Sequence, residues 1–175
     1  MAVYLFKITN KHRKSIWRKI EIQETQTLGD FDKMIRESFG YEEDHLSEFY
    51  RGKVWSTTGY GEIEPGGKGR GANKKIKDLK LQRGDKLEYV YDFGESHISL
   101  IELMDIGVEQ AGVTYPRVIE KNKQRNKYCE QCKSKGKKQV AVYNVYYFEA
   151  ESLEQLCEPC MESIEEDIDA TEIVY

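Results

Sequence analysis

No run of apolar residues in the 175-residue chain reaches the roughly 18 that a membrane-spanning helix requires, which excludes a helical membrane protein. Proline is scarce, with three residues, while tyrosine occurs twelve times and hydrophobic residues make up 39% of the chain. That balance excludes a disordered polymer and points to a folded core. The opening segment MAVYLFKITN alternates like a strand and lacks a basic leader followed by an apolar stretch, so the expectation is a cytoplasmic protein. Cysteine occurs only four times. In a reducing compartment four cysteines read as thiolate ligands rather than disulfides.

Positive charge is missing altogether from Gln139 to Tyr175, a stretch that holds ten acidic residues. It is concentrated elsewhere. Lys68 to Lys86 contains eight Lys/Arg against two acids, and Arg117 to Lys138 contains nine against two. Basic stretches of this kind can follow a phosphate backbone. For the second stretch the simpler expectation is compensation by the acidic segment that follows it.

Residues 2–9 and 16–23 alternate in hydrophobicity across a short polar link, which predicts an antiparallel hairpin. Thr27 and Asp30 have the spacing of a reciprocal helix cap. Leu28, Phe31, Ile35 and Phe39 then recur at helical spacing, and Gly40 suits the left-handed residue that ends a helix. Phe49 and Tyr50 mark a further strand. Gly52 to Ala72 carries seven of the fourteen glycines and reads as a long mobile loop. Strands follow at Leu87 to Phe93 and Ile98 to Met104. Hairpin, helix, strand, loop and closing strand is the order of a β-grasp domain, so the fold class expected is α+β with a β-grasp, ubiquitin-like N-terminal domain.

The segments IWRKIEI (Ile16 to Ile22), TLGDFDKMIRESFGYEEDHLSEF (Thr27 to Phe49) and YDFG (Tyr91 to Gly94) occur in order, followed by His97 and Tyr115-Pro116. Together they resemble the plasmid pRiA4b ORF-3-like family over roughly residues 3–117. The resemblance implies no activity, and some members of that family are carried on plasmids or mobile elements. The chain departs from the family pattern after YDFG, where Glu95-Ser96-His97 stands in place of a longer stretch containing a tryptophan.

The cysteines are spaced C-x2-C, twenty-four residues, C-x2-C: Cys129, Cys132, Cys157 and Cys160. Paired knuckles of this form present four thiolates to one tetrahedral ion, and four thiolates leave no open coordination position. The site reads as structural Zn2+, with iron as the rival metal. VAVYNVYYF (Val140 to Phe148) suits a strand or tight hairpin, and Met161, Ile164 and Ile168 lie at helical spacing. A treble-clef finger is the first expectation for this unit and a zinc ribbon the second.

A second constellation comprises Asp44, His45 and Glu48 with Asp92, Glu95 and His97. If the strand around Tyr91 lies near the exit of the helix, these imidazoles and carboxylates converge and are candidates for metal binding or general acid–base work. Otherwise His45 satisfies a turn and His97 begins a strand. Trp55, Tyr60, Lys68 and Arg70, interleaved in the glycine-rich segment, have the character of a single-strand nucleic-acid contact, although a disordered solvated loop is the preferred reading of them.

The organisation expected is therefore a β-grasp-like domain over residues 1–118, a basic connector over 119–127 and a four-cysteine zinc unit over 128–175. The function expected is a zinc-binding, non-enzymatic macromolecular interaction module, whose partner is a protein or a nucleic acid. The alternatives are a nucleic-acid-binding accessory protein linked to mobile elements, and a metal-dependent or acid–base enzyme using the Asp44, His45, Asp92, Glu95 and His97 cluster.

Overall fold

Tyr4, Phe6 and Ile8 recur at every second position of β1 (Ala2–Asn10), as Ile20 and Ile22 do in β2 (Trp17–Gln23). In a strand this alternation sends one set of side chains to a single face. The two strands pair antiparallel in the register Phe6 with Ile20, so both sets line the same side of the sheet. The structure is a computed structural model that describes residues 1–175 and divides into two compact units, Met1–Asn122 and Lys123–Tyr175.

Helix α1 (Leu28–Phe39) begins and ends where its caps place it. Asp30 N–H donates to Thr27 Oγ1 at 3.2 Å, and Thr27 N–H donates to Asp30 Oδ2 at 2.8 Å. At the other end Gly40 takes φ 70° and its N–H donates to the Arg36 carbonyl. Leu28, Phe31, Ile35 and Phe39 are buried against the sheet. Phe31 packs between Phe6 and Phe49, at ring separations of 5.0 and 5.5 Å.

The remaining strands of the first unit are β3 (Ser47–Tyr50), β4 (Gly59–Ile63), β5 (Lys86–Tyr91), β6 (His97–Val108) and β7 (Arg117–Lys121). They complete a seven-stranded sheet of order β4-β3-β5-β6-β1-β2-β7. Every pairing is antiparallel, including that of β6 with β1. The chain is thus mixed α/β and mostly sheet. A ubiquitin-like β-grasp is not established by so large a sheet with antiparallel pairing throughout. Residues 119–121, assigned by sequence to the connector, continue the sheet as part of β7.

The glycine-rich segment is not the unstructured loop its composition implied. It contains β4, the bridge Glu64 with Lys68, and a return that lies over the start of α1. There Leu28 N–H donates to Lys74 O and Gly29 N–H to Ala72 O, satisfying two of the donors a helix leaves open in its first turn. The glycines permit close backbone approach. A Cβ on Gly71 would overlap the Gly61 carbonyl, and Gly61 itself sits at φ 113°. Composition reported the entropy cost of glycine but not the packing that offsets it.

In the second unit, β8 (Tyr143–Tyr147) pairs with β9 (Ser152–Leu156) on one side and β10 (Ile168–Glu172) on the other. Two short helices, α2 (Glu130–Ser134) and α3 (Glu158–Glu162), begin within the two cysteine knuckles and carry Cys132 and Cys160. The helix after the second knuckle is shorter than the spacing of Met161, Ile164 and Ile168 implied. It ends at Ser163, and Ile168 opens β10. All three side chains still pack on the same core of Cys129, Val145, Tyr147, Leu156 and Cys157. Burial, not helical continuation, explains the spacing.

Candidate metal centre

Each cysteine pair is set by a turn that its own sequence dictates. Cys129 caps α2, and Cys132 N–H donates to Cys129 Sγ at 3.4 Å. Gly136 at φ 71° then turns the chain, and Lys135 and Lys137 N–H both return to the Cys132 carbonyl. Cys157 caps α3, and the N–H groups of Cys160 and Met161 close on its carbonyl. The hairpin β8-β9 returns the chain so that the knuckles face each other.

The four Sγ atoms all lie within 4.8 Å of one another. Cys132 Sγ is 3.6 Å from Cys160 Sγ and 3.8 Å from Cys157 Sγ. A tetrahedron with metal–sulfur bonds near 2.3 Å has edges of about 3.8 Å. Both the donor set and the spacing therefore fit one tetrahedral metal ion held by Cys129, Cys132, Cys157 and Cys160.

The proton energetics of the four sulfurs are consistent with a cation-binding role. Burial pushes the Cys129 thiol up, but hydrogen bonds from the backbone of Cys157 and Cys132 outweigh it and bring the group down to about 7. Cys160 is pushed up to about 12 by burial and by its hydrogen bonds with the other three sulfurs. Cys132 is lowered by its hydrogen bond with Cys160, yet burial and the contacts with Cys129 and Cys157 leave it raised. Sulfurs this close repel one another as anions, and a bound divalent ion reverses that balance. A centre closed by four thiolates supplies folding energy rather than chemistry.

The second constellation converges in large part at the turn between β5 and β6. Donor atoms of Asp92, Glu95 and His97 lie within 4.8 Å of one another. His97 Nε2 is 2.9 Å from Glu95 Oε2, while His45 Nε2 is 3.4 Å from Asp44 Oδ2 and 3.8 Å from Asp92 Oδ2. Glu48 does not join them. Its carboxylate accepts from Tyr50 OH and from Gly61 N–H at the β3–β4 edge. Alternation along β3 sends Glu48 to the opposite face from Ser47, which is why adjacency in sequence misplaced it.

Behind this cluster is a buried polar network that composition and spacing did not reveal. Arg36 Nε donates to Asp32 Oδ2 at 2.8 Å, and Arg36 Nη2 donates to Ser47 Oγ at 3.1 Å. Ser47 OH and Tyr89 OH both donate to Asp32 Oδ1, at 2.5 and 2.7 Å. The two ionic side chains are only 1% and 2% exposed. Burial pushes the Asp32 carboxyl above its ordinary range, against the pull of Ser47, Arg36 and Tyr89. The guanidinium lies 5.0 Å over the Tyr91 ring, and Tyr91 OH donates to Glu42 O and Asp44 Oδ1. One signal was present in the sequence: Asp32 and Arg36 stand four residues apart on the same face of α1 as Leu28, Phe31 and Ile35.

Of the residues considered for nucleic acid, Trp55 sits edge-on to Tyr50 and Phe93, and Tyr60 lies beneath Lys74. Lys68 is tied to Glu64 through its backbone. No helix is long and apolar enough to cross a membrane.

The family model described as plasmid pRiA4b ORF-3-like protein matches residues 2–141, beyond the expected limit at 117 and across Cys129 and Cys132. Among solved structures, the chain is similar to the protein of unknown function MM3350 from Methanosarcina mazei Go1, with a TM-score of 0.55 and 26% identity. The alignment covers 69% of this chain and 68% of that one. No curated protein matches the chain.

Proposed function

The chain belongs to the plasmid pRiA4b ORF-3-like family, and from that premise we propose that it is a zinc-binding, non-enzymatic module that engages another macromolecule. The observation that carries the zinc reading is the set of four Sγ atoms within 4.8 Å, with edges of 3.6 and 3.8 Å. All-thiolate tetrahedral donors select zinc or iron, and a closed, redox-silent staple is the role zinc fills. Knuckle, hairpin, then a second knuckle opening a helix is the order of a treble-clef finger, and we assign the second unit to that class. For the first unit, the β-grasp-like reading rests on the hairpin–helix–strand order β1-β2-α1-β3. Four cysteines free of disulfides support the reading of a reducing compartment such as the cytoplasm.

A unit of 53 residues buries too little apolar surface to be stable unaided, so the metal supplies much of its folding free energy, on the order of 10 kcal/mol. The ten acids and absent cations between Gln139 and Tyr175 disfavour a phosphate backbone at this unit and favour a protein partner. Metal analysis of the purified full chain tests the reading. One zinc per chain is expected, with cobalt replacement giving the intense visible absorption of tetrahedral thiolate coordination. Bound iron instead of zinc, or zinc content unchanged by C132S and C157S, would overturn it.

A further inference from the structure

The Tyr91–His97 turn, with His45 set against it, has the geometry of a second metal site, chemically unlike the first. We propose that Asp92, Glu95 and His97 bind one divalent transition-metal ion through two carboxylate oxygens and one imidazole nitrogen, with His45 beside Asp92 on the rim of the site. This goes beyond the structural staple and does not depend on it.

The distances support a single ion. Around a metal with bonds near 2.1 Å, neighbouring ligand atoms sit about 3.0 Å apart in octahedral and about 3.4 Å apart in tetrahedral coordination. His97 Nε2 to Glu95 Oε2 is 2.9 Å, and His45 Nε2 to Asp92 Oδ2 is 3.8 Å. The donors of Asp92, Glu95 and His97 are mutually within 4.8 Å. These groups come from two separate parts of the chain. His45 precedes β3, whereas the others span the end of β5 and the start of β6, with Asp92 N–H held on the Leu46 carbonyl.

The ligands are also oriented from behind. Asp92 Oδ1 accepts from Gly94 N–H at 2.9 Å, leaving Oδ2 toward His45. Both imidazoles lie against the ring of Tyr91: His97 at 6.1 Å and roughly parallel, His45 at 5.8 Å and edge-on. Tyr41 stacks on the far side of the same arrangement, 4.5 Å from Tyr91 and 5.8 Å from His97. Asp44, close to His45 Nε2, is itself fixed by Tyr91 OH. Packing and hydrogen bonds that fix ligand orientation are what metal sites require around the donor atoms.

The donors select the metal. Two oxygens and one nitrogen, without sulfur, suit manganese, ferrous iron or nickel and contrast with the soft thiolates of the second unit. His45 and His97 remain 47% and 42% exposed, so coordination positions are left open to water or a small anion.

The test uses the full chain with its cysteine site already loaded with zinc. Mn2+ is titrated and followed by loss of the free-ion electron paramagnetic resonance signal, and Ni2+ is titrated by calorimetry. Saturable binding of one ion per chain is expected, weakened at least tenfold in each of D92N, E95Q and H97Q, with zinc content unchanged. Glu95 is exposed, His97 is half-buried and Asn tolerates the left-handed backbone of Asp92 (φ 55°), and tryptophan emission verifies that each variant is folded. No saturable binding of either ion, or affinities within twofold of the parent in all three variants, would identify an ordinary surface ion-pair turn and overturn the proposal. Zinc content reports separately on the cysteine centre.

Discussion

Replacing Arg36 by methionine removes the cation from the buried network beneath α1 while keeping its length and much of its volume. The partner left behind is Asp32, whose side chain is 2% exposed. Stranding one member of a buried pair costs about 3–5 kcal/mol. Here Asp32 Oδ1 still accepts from Ser47 and Tyr89, so R36M belongs at the lower end, about 3 kcal/mol. D32L is worse, about 5 kcal/mol, because it leaves the guanidinium without its counter-ion and orphans the Tyr89 hydroxyl as well. The double variant removes both charges and retains only the cost of unpaired hydroxyls, again about 3 kcal/mol. The two substitutions should therefore fall short of additivity by about 5 kcal/mol. Urea unfolding in zinc-containing buffer, read by tryptophan emission, measures this directly. Both tryptophans, Trp17 and Trp55, lie in the first unit, so the signal is free of the second. Costs below about 1 kcal/mol for either single variant, or additive costs, would refute the view that these side chains act as one desolvated pair.

Chelation of the cysteine-bound metal, or C160S, should unfold the second unit while leaving tryptophan emission and the first unit's urea midpoint unchanged; limited proteolysis confined to residues beyond 122 is the readout. Zinc binding to the metal-free chain at pH 7 should release at least two protons, because Cys132 and Cys160 are raised and enter protonated. Apparent affinity should then fall about 100-fold per pH unit of acidification, measurable as a buffer-dependent calorimetric enthalpy. G71A forces a Cβ against the Gly61 carbonyl and should destabilise the first unit by about 1–3 kcal/mol, whereas G84A, with open space around its Cβ, should lose only what its φ of 89° costs. T27A breaks the reciprocal cap of α1 and should cost about 1 kcal/mol in the same urea assay.

Local signals in the chain were decisive where the physics is local. The β1-β2 hairpin, the capped helix from Leu28 to Phe39 and the four-cysteine spacing were all legible, because alternation, capping and turn-borne ligands involve residues a few positions apart. The second constellation was legible as a set of residue types and only partly as a place. His45 and Asp92 do approach, whereas Glu48, beside them in sequence, lies on the opposite face of β3. The helix expected through Ile168 failed because burial at a spacing of three or four is satisfied here by a short helix and a strand sharing one core.

The sequence by itself determined which four cysteines the second unit brings together, since the knuckle spacing sets each pair on its own tight turn. It also determined where the main helix starts and stops. Tertiary structure alone decided three things. The glycine-rich segment is ordered because its glycines meet other backbone across the fold, a fact no composition reports. The sheet has seven strands paired antiparallel throughout, because strand partners are chosen by packing between distant segments. Asp32, Arg36, Ser47 and Tyr89 form one buried network because a helix, a strand before the glycine-rich segment and a strand after it bring them together. Hydrogen bonds among residues 57 positions apart have no signature in local pattern.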